Sequence, residues 1–201
     1  MHVRTLSMAI GLLAPIAAAC KGPVVPSPLT GQTRYLCCNV RYERPEITDN
    51  FYQVGTLIPF GTPVTILEVR PHSVKFQASG HPPITVVEKY GSRTLPFDQF
   101  LDRLFLETDP RTKVARAATA RGGGHRGSRE PAPPSRHDTL AAIEQGTVEP
   151  GMTKADVIMA LNYSPANRTP SLDASEWHYW RNRWDQYVVA FDGDRVSRVG
   201  Q

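Results

Sequence analysis

The sequence predicts an α+β protein: a small β-rich, barrel-like domain with one helix at its end, then two helices followed by a three-stranded antiparallel sheet. Three observations carry this. Between residues 33 and 88, short β-branched runs alternate with Pro and Gly, the pattern of strands joined by tight turns. Phe97, Phe100, Leu101, Leu104 and Phe105 recur at helical spacing and form one apolar stripe. From residue 138 onward, two helical patterns with start and stop signals precede three segments of strand character.

Taken in order, the chain opens with MHVRTLSMAIGLLAPIAAACKG. Arg4 supplies a positive start, and the run from Leu6 to Ala19 carries no charge. At 14 residues the run is shorter than the roughly 20 a spanning helix needs. It ends in Ala17, Ala18 and Ala19, as a secretion signal should. Small residues directly before Cys20 resemble the lipobox of bacterial lipoproteins. That resemblance implies cleavage after residue 19, acylation of Cys20 and, with Lys21 rather than Asp next, export to the periplasmic face of the outer membrane. Several acyl chains at about 0.8 kcal/mol per buried CH₂ would make such an anchor effectively permanent. Residues 20–32, with Pro23, Pro26 and Pro28, read as a tether.

Residues 33–108 form the expected β-rich domain. Arg34–Tyr42 has strand character, and Cys37 and Cys38 inside it fall on opposite faces of that strand, at least one of them as a small buried hydrophobe. Val64–Val69, Ser73–Gln77 and Ile84–Glu88 are further strands. The segment LIPFGTPV (57–64) resembles the turn into the second strand of small bacterial barrels of the Src-homology-3 type. The aromatic stripe then predicts a helix that packs on this sheet and stops before Asp109–Pro110.

Residues 109–137 read as a basic Gly/Arg/Pro linker without apolar anchors. Between Arg111 and Asp138 lie seven basic and two acidic residues, +5 against +4 for the whole chain. The excess positive charge therefore belongs to the linker and not to a folded nucleic-acid-binding face, and no nucleic-acid partner is expected.

Residues 138–201 form the second domain. His137–Gly146 reads as a short helix, capped by Asp138 or Thr139 and ended by Gly146. Thr153 caps the next helix, with Asp156 placed to return a bond. Met152, Val157, Ile158 and Leu161 give its buried face, while Lys154 and Asp156 point to water. Glu176–Arg181 and Gln186–Asp192 are strands on either side of a bend at Asn182–Asp185, and Arg195–Val199 is the last strand. Gly151–Met152–Thr153, Val157, Leu161, Trp177, Tyr179, Phe191–Asp192, Gly193 and Val196 together resemble the SmpA/OmlA (BamE-like) lipoprotein domain over Leu140–Val199. Asn162 stands where that pattern has Gly. The resemblance implies a non-enzymatic role supporting outer-membrane protein assembly or envelope integrity, through a protein partner and a lipid anchor. The two-helix, three-strand unit also resembles β-lactamase-inhibitor folds, so inhibition of a secreted enzyme is an alternative. Binding of peptidoglycan by the barrel-like domain is another.

Catalytic patterns are lacking: there is no Gly-rich phosphate loop, GxSxG or HExxH, and the six histidines have no metal-ligand spacing. No enzyme activity, cofactor or metal is expected. The candidate partner-binding residues are Trp180, Trp184, Arg181 and Arg183. Trp177 and Tyr179 share one strand face, which covers the helices by the family resemblance, leaving Trp180 and Trp184 on or near the open side. Trp and Arg are the residue types enriched where binding energy concentrates.

Overall fold

A computed structural model of the 201-residue chain describes residues 23–90, 96–112, 135–165, 167–169 and 171–200. The leader, Cys20 and residues 113–134 of the basic linker lie outside the described residues. The fold is mixed α+β with three sheets. The first part contains β1 (Thr33–Leu36), β2 (Val40–Tyr42), β3 (Glu46–Thr48), β4 (Thr56–Ile58), β5 (Pro63–Arg70), β6 (Ser73–Ala78), β7 (Ile84–Val87), α1 (Phe97–Leu104) and β8 (Phe105–Leu106). The second contains α2 (Arg136–Gln145), α3 (Lys154–Leu161), β9 (Glu176–Trp180), β10 (Gln186–Asp192) and β11 (Arg195–Gly200).

In the first part, strands pair in the order β3-β7-β6-β5-β1-β8, with β2 and β4 forming a separate ribbon. The sheet is open, with β3 and β8 as its edges, where a barrel would continue the pairing. Alternating side chains of β5, β6 and β7 point inward, so Val64, Ile66, Val74, Phe76, Ile84 and Val86 share one core. The α1 stripe covers it through Leu101 and Leu104, with Phe97 and Phe100 partly buried and Phe100 stacked on Phe51 at 6.2 Å. Phe105 belongs to this core as a strand residue: the helix ends at Leu104, and Phe105 pairs with Leu36. Arg111, assigned to the linker from sequence, is held on this part, donating to Asp109 at 2.7 Å and to the Gly61 carbonyl at 2.9 Å.

The segment RYLCCNVRY is not one strand. The Cys37 amide donates to the Leu104 carbonyl at 3.0 Å, and the Asn39 amide donates to Met159 of the second part at 2.9 Å. Two amides so close in sequence bond to different halves of the molecule, so the strand breaks between β1 and β2. Cys37 and Cys38 do not take opposite faces; they are joined to each other by a disulfide, and both are buried.

The C-terminal part is a three-stranded antiparallel sheet in the order β11-β10-β9. Tyr179 pairs with Tyr187 and Trp177 with Val189, which puts all four on one face with Phe191 and Val196, against α2 and α3. The helices do not complete this core unaided, because Phe60 of the first part is one of its buried members. Ser135 caps α2, in place of Asp138 or Thr139: its side chain accepts from the Asp138 amide. Gly146 ends α2 at φ 69°, a left-handed conformation suited to glycine, and a Cβ there would lie 2.8 Å from the Arg41 guanidinium.

Thr153 and Asp156 form a full capping box on α3. That bonding explains why Asp156 is buried and not in water: its carboxylate accepts from the Thr153 amide at 2.9 Å and hydroxyl at 2.7 Å. Lys154 likewise turns inward. Its ammonium bonds the Leu172 carbonyl at 3.1 Å and lies over the rings of Trp177 and Phe191. Thr153→Ala is expected to cost about 1–2 kcal/mol, read by urea unfolding. A loss below about 0.5 kcal/mol would show that Asp156 alone holds this helix end.

Candidate functional site

The two parts meet at a polar junction built around Asn39, which is 3% exposed. Its side-chain amide donates to the Ile143 carbonyl at 2.6 Å and the Ala160 carbonyl at 3.0 Å, near the C-terminal ends of α2 and α3. Its side-chain oxygen accepts from the Phe60 amide at 2.8 Å, and its backbone carbonyl accepts from Asn162 at 3.3 Å. Carbonyls in the last turn of a helix run short of donors, so one asparagine serves both helix ends, adding to the bond the Ile143 carbonyl accepts from the Gly146 amide at 2.9 Å. Gln53 adds a second tie: its amide donates to Trp180 at 2.9 Å and its side chain to Leu161 at 2.7 Å. The Tyr179 phenol, pushed well above its ordinary pKa by burial, stays neutral and donates to the Asn162 carbonyl at 3.1 Å.

Beside this junction lies a cleft of about 290 Å³, lined by nine residues between Arg41 and Val54 of the first part and by Arg183 of the second. Among the described lining residues, Arg41, Arg44 and Arg183 are basic and Glu43 and Glu46 acidic. Arg41 is fixed in place by the carbonyls of Gln145 at 2.9 Å and Gly55 at 3.4 Å.

The four residues nominated from sequence divide into two pairs. Arg181 is tied to Asp185 at 2.6 Å and lies 5.4 Å from the Tyr187 ring, so it braces the bend between β9 and β10. Trp180 is half-buried, its carbonyl joined to Gln53 of the first part and its ring 6.0 Å from the Arg168 guanidinium. Its indole N–H is buried and has no partner among the described residues. Arg183 and Trp184 project outward from the bend. The side-chain oxygen of Asn182 accepts from the Trp184 amide at 2.8 Å and the Asp185 amide at 3.1 Å, which fixes the turn. Trp184 is 82% exposed, and the Arg183 guanidinium lies 4.7 Å from its ring. Cys20 lies outside the described residues.

Comparison with protein-family models, with curated proteins and with solved structures returned no match. Among the described residues there is no group of three or more His, Cys, Asp or Glu able to hold a metal ion, and no helix is long and apolar enough to cross a membrane. The residues that sequence reasoning missed are Asn39, Gln53 and the cleft lining at 41–54. Their only local signal is RYERPE, a crowding of charge at a proline turn.

Proposed function

We propose that this chain is a lipid-anchored interaction protein of the bacterial outer membrane, held by acylated Cys20 on the periplasmic face and supporting outer-membrane protein assembly or envelope integrity. The single observation that carries the interaction reading is the Arg183–Trp184 pair, projecting from a rigid turn beside the cleft where the two parts meet. A large exposed indole on a fixed turn has no folding purpose and suits a partner's pocket. The reading of the C-terminal part as a BamE-like unit rests on the chain order α2, α3, β9, β10, β11 and on the capped turn at Gly151–Thr153.

The anchor is tested by fractionation. Cys20→Ser is expected to move the protein from the membrane pellet to the soluble periplasmic fraction and to abolish palmitate labelling. Wild-type protein that takes up no palmitate would remove the anchor from the proposal. The interaction is tested with a photo-crosslinking residue at an exposed position beside Trp184 in intact membranes, followed by mass spectrometry. A protein adduct seen there and absent at a distant exposed position supports it. Adducts only to lipid would end the assembly reading.

A further inference from the structure

We infer that the Cys37–Cys38 disulfide is a thiol–disulfide exchange site that controls the junction, with a dithiol of the Cys-x-x-Cys class as its co-reactant. The site is independent of the partner proposed for the bend. The Leu36 amide donates to the Thr62 carbonyl at 3.1 Å and the Cys37 amide to the Leu104 carbonyl at 3.0 Å, both in the first part. The Asn39 amide donates to the Met159 carbonyl of the second part at 2.9 Å. The bridge therefore lies where the bonding of the chain passes from one part to the other.

A disulfide stabilises a fold chiefly by closing a loop in the unfolded chain, and the effect shrinks as the loop shortens. Neighbouring cysteines enclose no loop, so this bridge acts on the folded state. It ties together two side chains that a pleated strand sends to opposite faces. Strand β1 accordingly stops at Leu36, directly before the bridge, and β2 starts at Val40, after Asn39. With the sulfurs free, nothing covalent opposes the extended path that the run RYLCCNVRY favours. Both cysteines lie in the core of the first part, where free thiols pack as small hydrophobes. Reduction therefore keeps the fold and loosens the seat of Asn39. Cys37 is 7% exposed and Cys38 fully buried, which directs attack to the Cys37 Sγ. A donor thiolate attacks that sulfur, the S–S bond breaks, and Cys38 leaves as a thiolate that takes up a proton. The second thiolate of the donor then attacks the donor's sulfur in the mixed disulfide and releases Cys37, which is protonated in turn. The pair gains the electrons and protons that the donor loses on becoming a disulfide.

The full chain carrying Cys20→Ser tests this, because the sequence has three cysteines and only the pair then remains. Isolated without reductant and unfolded, it is expected to show no thiol to N-ethylmaleimide. Treatment of the folded protein with dithiothreitol, the dithiol probe, should open both cysteines to the maleimide, read by mass. Amide hydrogen exchange followed by NMR then compares the two states. The Asn39 amide, and the Phe60 amide that bonds the Asn39 side chain at 2.8 Å, are expected to exchange at least about tenfold faster in the reduced protein. Phe76 in β6 and Val189 in β10, both in central strands, should keep their rates. Oxidised glutathione should restore the slow exchange at Asn39 and Phe60. Cys37→Ala/Cys38→Ala should exchange as the reduced protein does, with or without dithiothreitol. Four results would each overturn the inference: free thiols in the isolated protein, a folded pair that dithiothreitol does not reduce, unchanged Asn39 and Phe60 rates in protein shown by mass to be reduced, or equal acceleration at Phe76 and Val189. A dithiothreitol response that persists in the double alanine variant would do the same. Reduction of the cysteine pair itself decides the matter even where that variant fails to fold. Crosslinking from beside Trp184 involves no thiol, so the interaction reading and the exchange site stand or fall separately.

Discussion

Asn39→Ala will lower the free energy of unfolding by about 3–5 kcal/mol, measured by urea denaturation with the m-value monitored. The side chain of Asn39 satisfies the carbonyls of Ile143 and Ala160 and the amide of Phe60, all in a buried setting. Alanine removes all three bonds; the Ile143 carbonyl keeps the Gly146 amide at 2.9 Å, while the Ala160 carbonyl and the Phe60 amide lose the asparagine, and an orphaned buried group costs about 1–3 kcal/mol. Asn39→Asp provides the control. One oxygen of the introduced carboxylate still accepts from Phe60, but the other faces two carbonyls, so folding raises the pKa of that carboxyl. A raised folded pKa means stability is greatest at low pH and falls as pH rises through that value. The aspartate variant should therefore recover stability on acidification, whereas the alanine variant should not. A loss below about 1 kcal/mol for alanine would mean that the junction relaxes around the gap. A lowered m-value with two separate transitions would instead show that the two parts unfold independently once the tie is cut.

The junction explains which parts of the molecule could be read from sequence. Strands β6, β7, β9 and β10 alternate every second residue, β5 does so up to its bulge, and α3 has a cap, an apolar face and a stop. These are local signals, decided within a few residues of one another. The bonds of Asn39 join residues 104 and 121 positions apart, and Asn162 returns to Asn39 across 123. No periodicity encodes such a pairing. Asp156 departs from its sequence expectation for the opposite reason: a polar residue on a helical pattern defaults to water, and only the closed capping box keeps it inside. The two non-glycine residues with positive φ among those described, Phe51 at 42° and Asn162 at 73°, also sit at this junction. At φ 73° and ψ −178° Asn162 lies outside the left-handed helical region, in backbone that almost only glycine takes, in keeping with its standing at the Gly position of the resembled pattern. Phe51 is held there by burial against Phe100 while Gln53 bonds its carbonyl at 2.6 Å. Backbone held in a sparsely populated region needs surrounding structure to enforce it. Here the enforcing contacts also bring Arg183 to the wall formed by residues 41–54.

The same logic separates the three tryptophans, although they lie within eight residues of one another. Trp177 is fully buried, tilted against Phe191 at 4.7 Å and covered by the Lys154 ammonium. Trp177→Ala should cost about 3–5 kcal/mol, because the space vacated by an indole cannot collapse against paired strands. Trp184 has most of its surface in water, so Trp184→Ala should leave stability within about 0.5 kcal/mol of wild type. Its effect belongs to binding: a central indole anchor contributes at least about 2 kcal/mol, roughly a thirtyfold loss of partner capture. Trp180 lies between them, half-buried with an unpartnered N–H, and its alanine variant should cost about 1–2 kcal/mol while weakening capture less than Trp184→Ala. Thermal unfolding of the three variants, set beside crosslinking yield from a neighbouring position, reads both axes at once. Comparable destabilisation by Trp184→Ala and Trp177→Ala would place the exposed ring in the core and withdraw the bend as an interaction site. Unchanged stability with unchanged capture would leave the bend intact and move the partner's footprint elsewhere.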